Sequence, residues 1–424
     1  MKIWTTETLK KNFHNSESLD TAQTDSLIEY MNLNFQPLTF QEHLDKRNRA
    51  IENAKSAKHL LEGAVQSFPK VLSYRTLNAA FDSLKGFAVV FTAGGEGERL
   101  RLSLLNKGVS AENLRNFTKA TYPLKNFFKD FGALQINLAM ISWICSKAKV
   151  DIPVIVTTGP QGSLTHKVIP EVLKEHKNFG LKNLRVIGQD ERLHFTLDSQ
   201  AAFQIIEGRP LPVTHPDETG GPLMKLKQKP DTNTQSALEW LASLGCAKIL
   251  AVQGTAIYEP SMLSLMAAAA KEHDCVGVGI PRSAFEPKDP FGTFVTIEKN
   301  GGSATCIIEQ DIRNDATRSV KDENSGAFLP FNTGFYAIDC KLLEEHDLPD
   351  YATPPKEILP DLPRSPKIGY AATDILPLAK RPLILTVEPG MYAVIKTAED
   401  LETLSETAVR FGLREIVESL ELRT

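Results

Sequence analysis

The sequence predicts an open, doubly wound α/β fold with a mixed, mostly parallel sheet. Three observations predict it. First, short, largely apolar runs recur through the middle of the chain: Phe87-Ala-Val-Val-Phe-Thr92, Val154-Ile-Val-Thr157, Leu184-Arg-Val-Ile187, Ile249-Leu-Ala-Val252 and Val276-Gly-Val-Gly-Ile280. Strands buried on both faces read this way, because neither face needs polar residues. Second, helix-forming stretches separate the runs, at 131–147, 165–176, 235–244 and 261–272. Strand and helix in alternation favour parallel pairing through crossovers. Third, a glycine-rich segment follows the first run directly, and open α/β sheets bind ligands beyond the carboxyl ends of their strands.

The remaining elements follow in order. Residues 1–82 are poor in glycine, and no proline falls between Pro37 and Pro69. Gln41 to Gln66 carries helix formers, so this region reads as an N-terminal helical segment. From Gly292 to Ile338 the pattern changes to shorter β-like pieces, and Asn300-Gly-Gly302 is a hairpin signal. An antiparallel addition to the sheet is expected there. Glu399 to Leu422 reads as one or two helices. The expected division is a helical segment over 1–82, the α/β domain over 83–345 and a smaller C-terminal part over 346–424.

Composition narrows the function classes. The 424 residues are 42% apolar and 24% charged, which is ordinary for a folded soluble protein and enough to build a large core without staples. Fifty-two acids against 48 bases give a net charge of −4. This disfavours a general nucleic-acid binder but leaves room for a local patch that takes a small anion. No apolar run approaches the ~18–20 residues of a membrane span, so no membrane role is expected. The first residues hold no apolar signal core, so a cytoplasmic location is expected. Five scattered cysteines, with no Cys-x-x-Cys, read as buried thiols in a reducing compartment, and no clustered zinc ligands are visible.

The first strand runs into Ala93-Gly-Gly-Glu-Gly-Glu-Arg-Leu100. Gly94, Gly95 and Gly97 let the backbone approach a ligand and aim its N–H groups at it. Arg99 adds a fork for phosphate oxygens, and a helix starting here would add its dipole. A P-loop is excluded, because Gly-Lys-Ser/Thr is missing. A dinucleotide fold, and with it a nicotinamide-dependent oxidoreductase, is disfavoured by Leu100 at the third small position and by the absent ribose acid. The Gly-Gly-x-Gly-x-Arg-Leu loop of nucleotidyltransferases fits every position. Lys119, in Phe117-Thr-Lys-Ala-Thr-Tyr-Pro-Leu124, lies about twenty residues past the glycines, where a lysine can return to the phosphates the loop cradles. Standing alone, it would read as a solvated surface lysine.

With these two elements in view, the chain resembles the eukaryotic-type UTP:sugar-1-phosphate uridylyltransferases, which include the UDP-N-acetylglucosamine, UDP-glucose and UDP-sugar pyrophosphorylases. The resemblance runs over roughly residues 85–400 in ordered motifs. The glycine loop is similar to the family's Ala-Gly-Gly-x-Gly-Thr-Arg-Leu, and Lys119 to its phosphate-contacting lysine. Val156-Thr-Thr-Gly159 resembles a strand end of the N-acetylglucosamine branch. Gln189 resembles the glutamine that reads uracil, and His215-Pro-Asp-Glu-Thr-Gly-Gly221 the loop that closes on the base, with Gly220 and Gly221 at the nucleotide. Glu309 in Ile307-Ile-Glu-Gln310 and Asn332 in Phe331-Asn-Thr-Gly-Phe-Tyr336 resemble the sugar-binding residues. Lys396 in Tyr392-Ala-Val-Ile-Lys396 resembles a late phosphate-binding lysine.

The resemblance implies a nucleotidyltransferase-type sheet and a uridylyl transfer from UTP to a sugar 1-phosphate, giving a UDP-sugar and pyrophosphate. Arg99, Lys119 and Lys396 would serve the reacting phosphates. N-acetylglucosamine 1-phosphate is slightly preferred and glucose 1-phosphate comes next. His215 and Asp217 are read as loop-shaping residues without a proton-transfer role.

Three departures stand out. Arg101 to Asn116, with Gly108 and two arginines, is longer than the family's segment. It is expected either as a flap or as a displacement of Lys119. Glu98 also replaces the loop's usual threonine. The family's metal-binding aspartate is missing as well, since the strand end reads Val252-Gln-Gly-Thr-Ala-Ile257, with Gln253 or Gly254 in its place. Magnesium is therefore expected to be held mainly by substrate phosphates, with no protein ligand assigned. The alternative is a weak or inactive relative that binds UTP or a UDP-sugar as a sensor or partner.

Overall fold

The structure, a computed structural model, describes residues 4–35, 37–95, 97–127, 130–230, 234–286, 289–359, 362 and 364–421. It divides into two compact units, neither of them one stretch of chain. The first is Met1–Glu62, Asp190–Gly221 and Leu348–Ala372; the second is Gly63–Gln189, Pro222–Asp347 and Thr373–Thr424. The serial division expected at 82/83 and 345/346 is thus replaced by two interleaved units. The expected C-terminal part contributes to both.

In the first unit, helices Thr6–Asn12, Thr21–Asn34 and Pro37–Lys58 accompany three two-stranded ribbons: Glu191–Leu193 with Thr214–Pro216, Phe203–Ile206 with Arg209–Pro212, and Asp350–Ala352 with Ile368–Tyr370. The first two helices start at Thr5 and Asp20, whose side chains accept the Thr8 and Gln23 backbone N–H groups. Such caps satisfy donors that a helix start leaves free. Trp4, Phe13, Phe40 and Phe195 pack edge to face at 5.1–5.9 Å in its core. The helix expected over 41–66 ends at Lys58, and residues 65–67 and 71–73 are strands, so the helical segment is about twenty residues shorter than 1–82.

The second unit is built on an eleven-stranded sheet: β1 (Val65–Ser67), β2 (Val71–Ser73), β3 (Phe87–Thr92), β4 (Val154–Thr158), β5 (Leu184–Gly188), β6 (Lys248–Gln253), β7 (Cys275–Arg282), β8 (Thr293–Lys299), β9 (Gly302–Ile308), β10 (Phe328–Asp339) and β11 (Pro382–Thr386). The order across it is β2-β11-β7-β10-β6-β3-β4-β5. β6, β3, β4 and β5 are mutually parallel, while β10 runs antiparallel between β6 and β7. β3 is buried along Phe87–Phe91 and β4 along its whole length, which is why both read as unbroken apolar runs. The predicted hairpin joins β8 to β9, and Asn300 and Gly301 take positive φ (54° and 78°), as a tight right-twisted hairpin requires.

After β3 the chain goes to β4 on one side and comes back at β6 on the other. This reversal opens a crevice at the carboxyl ends of β3, β4 and β6. Because β10 is antiparallel, its first half, Phe331 to Gly334, reaches the same edge: Gly279 of β7 pairs with Asn332, and Ala251 of β6 with Tyr336.

Candidate active site

The glycine loop leaves β3 at this edge. A side-chain carbon at Gly94 would run into Nε2 of Gln189 and come within 2.8 Å of the Thr158 carbonyl. Glycine is what lets the loop lie on Gln189, at the end of β5, and on Thr158, at the end of β4. The Gln189 N–H donates to the Thr158 carbonyl at 3.2 Å. Its side-chain Oε1 is buried with no hydrogen-bond partner among the described residues. Gly95 is exposed, with open space around it.

Gly97 takes φ +71° and starts helix Glu98–Asn106. A carbon added to it would sit 2.7 Å from Cβ of Lys119 and 3.3 Å from the Phe117 ring. Lys119 therefore packs directly on the loop, and the 101–116 segment has not displaced it. The first part of that segment is neither flap nor loop, since Arg101 to Asn106 continue the helix. The Lys119 amine is pulled down to about 8, first by burial and then by the charges of Arg99 and Lys396, with Asp400 opposing. Three cations thus repel one another at the mouth of the glycine loop, an arrangement that a bound polyanion relieves.

Lys396 connects this cluster to the next. Its Nζ lies 4.3 Å above the Phe291 ring, which stacks on Phe331 at 4.7 Å. Beside Phe291 is Gly292, whose carbonyl accepts the Asn332 N–H at 2.8 Å. The Glu309 carboxylate lies against Gly292, its oxygens 2.9 and 3.2 Å from where a side chain would begin. Asn332 donates to the Tyr336 hydroxyl at 2.8 Å and accepts from the Gly334 N–H at 2.9 Å. One amide hydrogen and one lone pair remain for a ligand. Glu309 is raised above the ordinary carboxylate value by burial and by Asp311. Asp374 is pushed up to about 6 by burial and by Glu309.

The structure therefore brings Gly94, Gly95, Gly97, Arg99, Lys119, Gln189 and Lys396 to one edge of the sheet, with Glu309 and Asn332 beside Phe291 and Gly292. Gly220 and Gly221 belong to the first unit, where the Gly220 N–H donates to the Tyr370 carbonyl at 2.7 Å. Asp217, in the same loop, is gripped by Arg192 at 2.8 Å through both oxygens and by Lys46 at 3.5 Å. Lys46 also sits 3.4 Å above the Tyr370 ring. His215 is buried, held between the Pro216 carbonyl and the Ile368 N–H, and is pulled down to about 3 by burial. These contacts make Asp217 and His215 anchors of the loop. Sequence reasoning missed Phe291 and Asp374. No motif marks either, and only the paths of β10 and the 372–378 turn bring them near Asn332 and Glu309.

The strand-end residues do not fit a protein-held magnesium. The Gln253 amide donates to the Thr333 carbonyl at 3.0 Å and packs on Gly334, and Gly254 offers no side chain. Among the described residues no group of three His, Cys, Asp or Glu side chains could hold a metal ion. All five cysteines are free thiols, and no described helix is long and apolar enough to cross a membrane.

No protein-family model and no curated protein matches the sequence. Solved structures do match. The UDP-N-acetylglucosamine pyrophosphorylase of Trypanosoma brucei, in complex with an inhibitor, superposes with a TM-score of 0.67 at 15% identity, covering 93% of this chain and 80% of that one. A point mutant of the UDP-glucose pyrophosphorylase of Leishmania major, in complex with UDP-glucose, gives 0.60 at 14% identity over 91% and 79%. A Trypanosoma brucei UDP-glucose phosphorylase gives 0.63 at 15% over 91% and 79%. Across nearly its whole length, this chain has the α/β fold of the UDP-sugar pyrophosphorylases.

Proposed function

We propose that this chain is a uridylyltransferase that makes a UDP-sugar and pyrophosphate from UTP and a sugar 1-phosphate. The observation that carries the reading is the buried, unpartnered Oε1 of Gln189 beside Gly94. A buried acceptor with no donor is costly unless a ligand supplies one. Uracil presents an N–H between two carbonyls, so a glutamine amide can accept from that N–H and donate to a neighbouring oxygen. Adenine also offers an amide a donor and an acceptor, at N6–H with N1 or N7, so the choice of uridine over adenine rests on the fold this chain shares with the UDP-sugar pyrophosphorylases.

Placed against Gln189, the base leaves its phosphates for the glycine-loop N–H groups, Arg99, Lys119 and Lys396. An oxygen of the sugar 1-phosphate attacks the α-phosphorus of UTP. That nucleophile is already an anion, so the site needs no general base, and its work is alignment and charge neutralisation. Asn332 and Glu309 then take the sugar hydroxyls. N-acetylglucosamine 1-phosphate is the preferred acceptor and glucose 1-phosphate the second. Any magnesium would arrive on the phosphates.

The test is pyrophosphate release from UTP with a panel of sugar 1-phosphates. Release that depends on both substrates, and that fails with ATP, supports the reading. One observation favours a second reading, a binding-only relative: Gln253 stands where a carboxylate is expected. In that case UTP binds but no pyrophosphate appears with any acceptor.

A further inference from the structure

The 101–116 segment borders an open cavity that the proposed reaction does not use. It measures about 550 Å³ and is lined by Glu98, Arg101, Glu112, Arg115, Phe117 and Leu164, among others. That size suits a small ligand. Apolar Leu114, Phe117 and Leu164 line it beside Thr165, two arginines and two glutamates. Arg115 is exposed and paired with Glu112 at 3.3 Å. Arg101 is half-buried, and its guanidinium has no hydrogen bond or ion pair among the described residues. A half-buried guanidinium without a partner, lining a cavity, is a group prepared for an anion.

The position of the cavity says which anion. Its wall residue Glu98 is the chain neighbour of Arg99. Its wall residue Phe117 touches Gly97 and lies two residues before Lys119. Phosphates held by the glycine loop, Arg99 and Lys119 thus end next to this space. In uridylyl transfer a new bond forms between the sugar-phosphate oxygen and the α-phosphorus, and the bond from the α-phosphorus to the bridging oxygen breaks. The electron pair goes to that oxygen, which leaves on pyrophosphate with no proton required. The leaving group gathers the most charge, and the strand end supplies no carboxylate to hold a metal against it. We propose that Arg101, with Arg115 as a weaker rim contact, forms an additional cationic grip on the pyrophosphate, specific to the long 101–116 segment. This rests on the uridylyltransferase reading. Glu98 opposes the grip, being three residues from Arg101 on the same helix face.

The experiment is calorimetric titration of the full chain with inorganic pyrophosphate and, separately, with UMP, which lacks the leaving phosphates. Arg101→Gln, which keeps an uncharged polar side chain, should weaken pyrophosphate binding at least tenfold. Arg115→Ala should weaken it less, and Glu98→Thr should strengthen it several-fold. UMP affinity should stay within twofold in all three. Unchanged pyrophosphate binding in Arg101→Gln, with UMP still bound, overturns the grip and leaves the uridylyltransferase reading standing. Loss of both ligands in Arg101→Gln also overturns it, because Arg101 would then only support the loop. If wild type binds neither UMP nor pyrophosphate, the reading of the site fails, and the grip fails with it.

Discussion

Lys119 is held in the free protein at a cost that its substrate would remove. Its drop from 10.5 to about 8 corresponds to roughly 3 kcal/mol, at about 1.4 kcal/mol per decade of proton affinity. At pH 7 the amine is protonated in both the folded and the unfolded chain, so the whole penalty falls on the folded state. Between pH 8 and 10.5 the folded chain releases the proton while the unfolded chain keeps it, and the penalty fades. Lys119→Met keeps the packing on Gly97 without the charge. It should therefore raise the unfolding midpoint at pH 7 by a few degrees, and this gain should shrink as pH rises through 8 to 10. The same variant should lose at least ~10²-fold in turnover, the scale of removing a major electrostatic contact in a transition state. For wild type, the charged fraction falls from about 90% at pH 7 to about 10% at pH 9, so kcat/KM should fall about ninefold over that range. Lys119→Arg, whose charge does not titrate there, should flatten the profile. The assays are thermal unfolding against pH and initial rates against pH. A Lys119→Met protein that is less stable at pH 7, or a wild-type rate that holds flat to pH 9.5, would refute the reasoning.

Other outcomes follow from the same geometry. Gly94→Ala drives a methyl group into Gln189 and to 2.8 Å from the Thr158 backbone; UTP affinity by calorimetry should fall at least ~100-fold, about 3 kcal/mol, with an unchanged far-UV spectrum. Glu309→Gln should raise KM for the sugar 1-phosphate about tenfold, the scale of one weakened charged hydrogen bond, and leave KM for UTP within twofold. In the first unit, burial pulls His43 and His194 to about 4 and His215 to about 3. The unfolded chain takes up these protons first, so stability is intact above pH 6.5 and declines as pH falls toward 4. The loss is about 2 kcal/mol per histidine at pH 5. Hydrogen exchange at pH 5 should open helices Thr21–Asn34 and Pro37–Lys58 before β3 and β4; protection that is the same at pH 5 and pH 7 would contradict this.

The parts of the fold that were legible in the sequence are those in which local pattern and burial coincide. β3 matches its predicted run residue for residue, and β4, β6 and β7 differ only by one or two residues at their ends, because strands buried on both faces cannot hide polar positions; β5, half-buried at the edge of the sheet, is one residue longer than its run. The Asn300-Gly301 turn was legible because few residues take positive φ in succession. The placement of Lys119 was not, since nothing in a sixteen-residue departure says that a helix will carry the chain back to Gly97. The first unit was also opaque. The apolar face of a helix shows that it is buried, not that residues 190–221 and 348–372 are its partners. Gln189 could be proposed by resemblance alone, but its unpartnered oxygen is visible only in three dimensions.

The most direct test is a calorimetric comparison of UTP and ATP binding to wild type and to Gln189→Leu, which removes the orphan acceptor while filling the same space. Wild type should bind UTP at least tenfold more tightly than ATP. In Gln189→Leu that preference should collapse, with the fold intact and ATP binding nearly unchanged. Equal affinity of wild type for the two nucleotides, or a preference for UTP that survives the loss of Gln189, would contradict a uridine site at the carboxyl edge of this sheet.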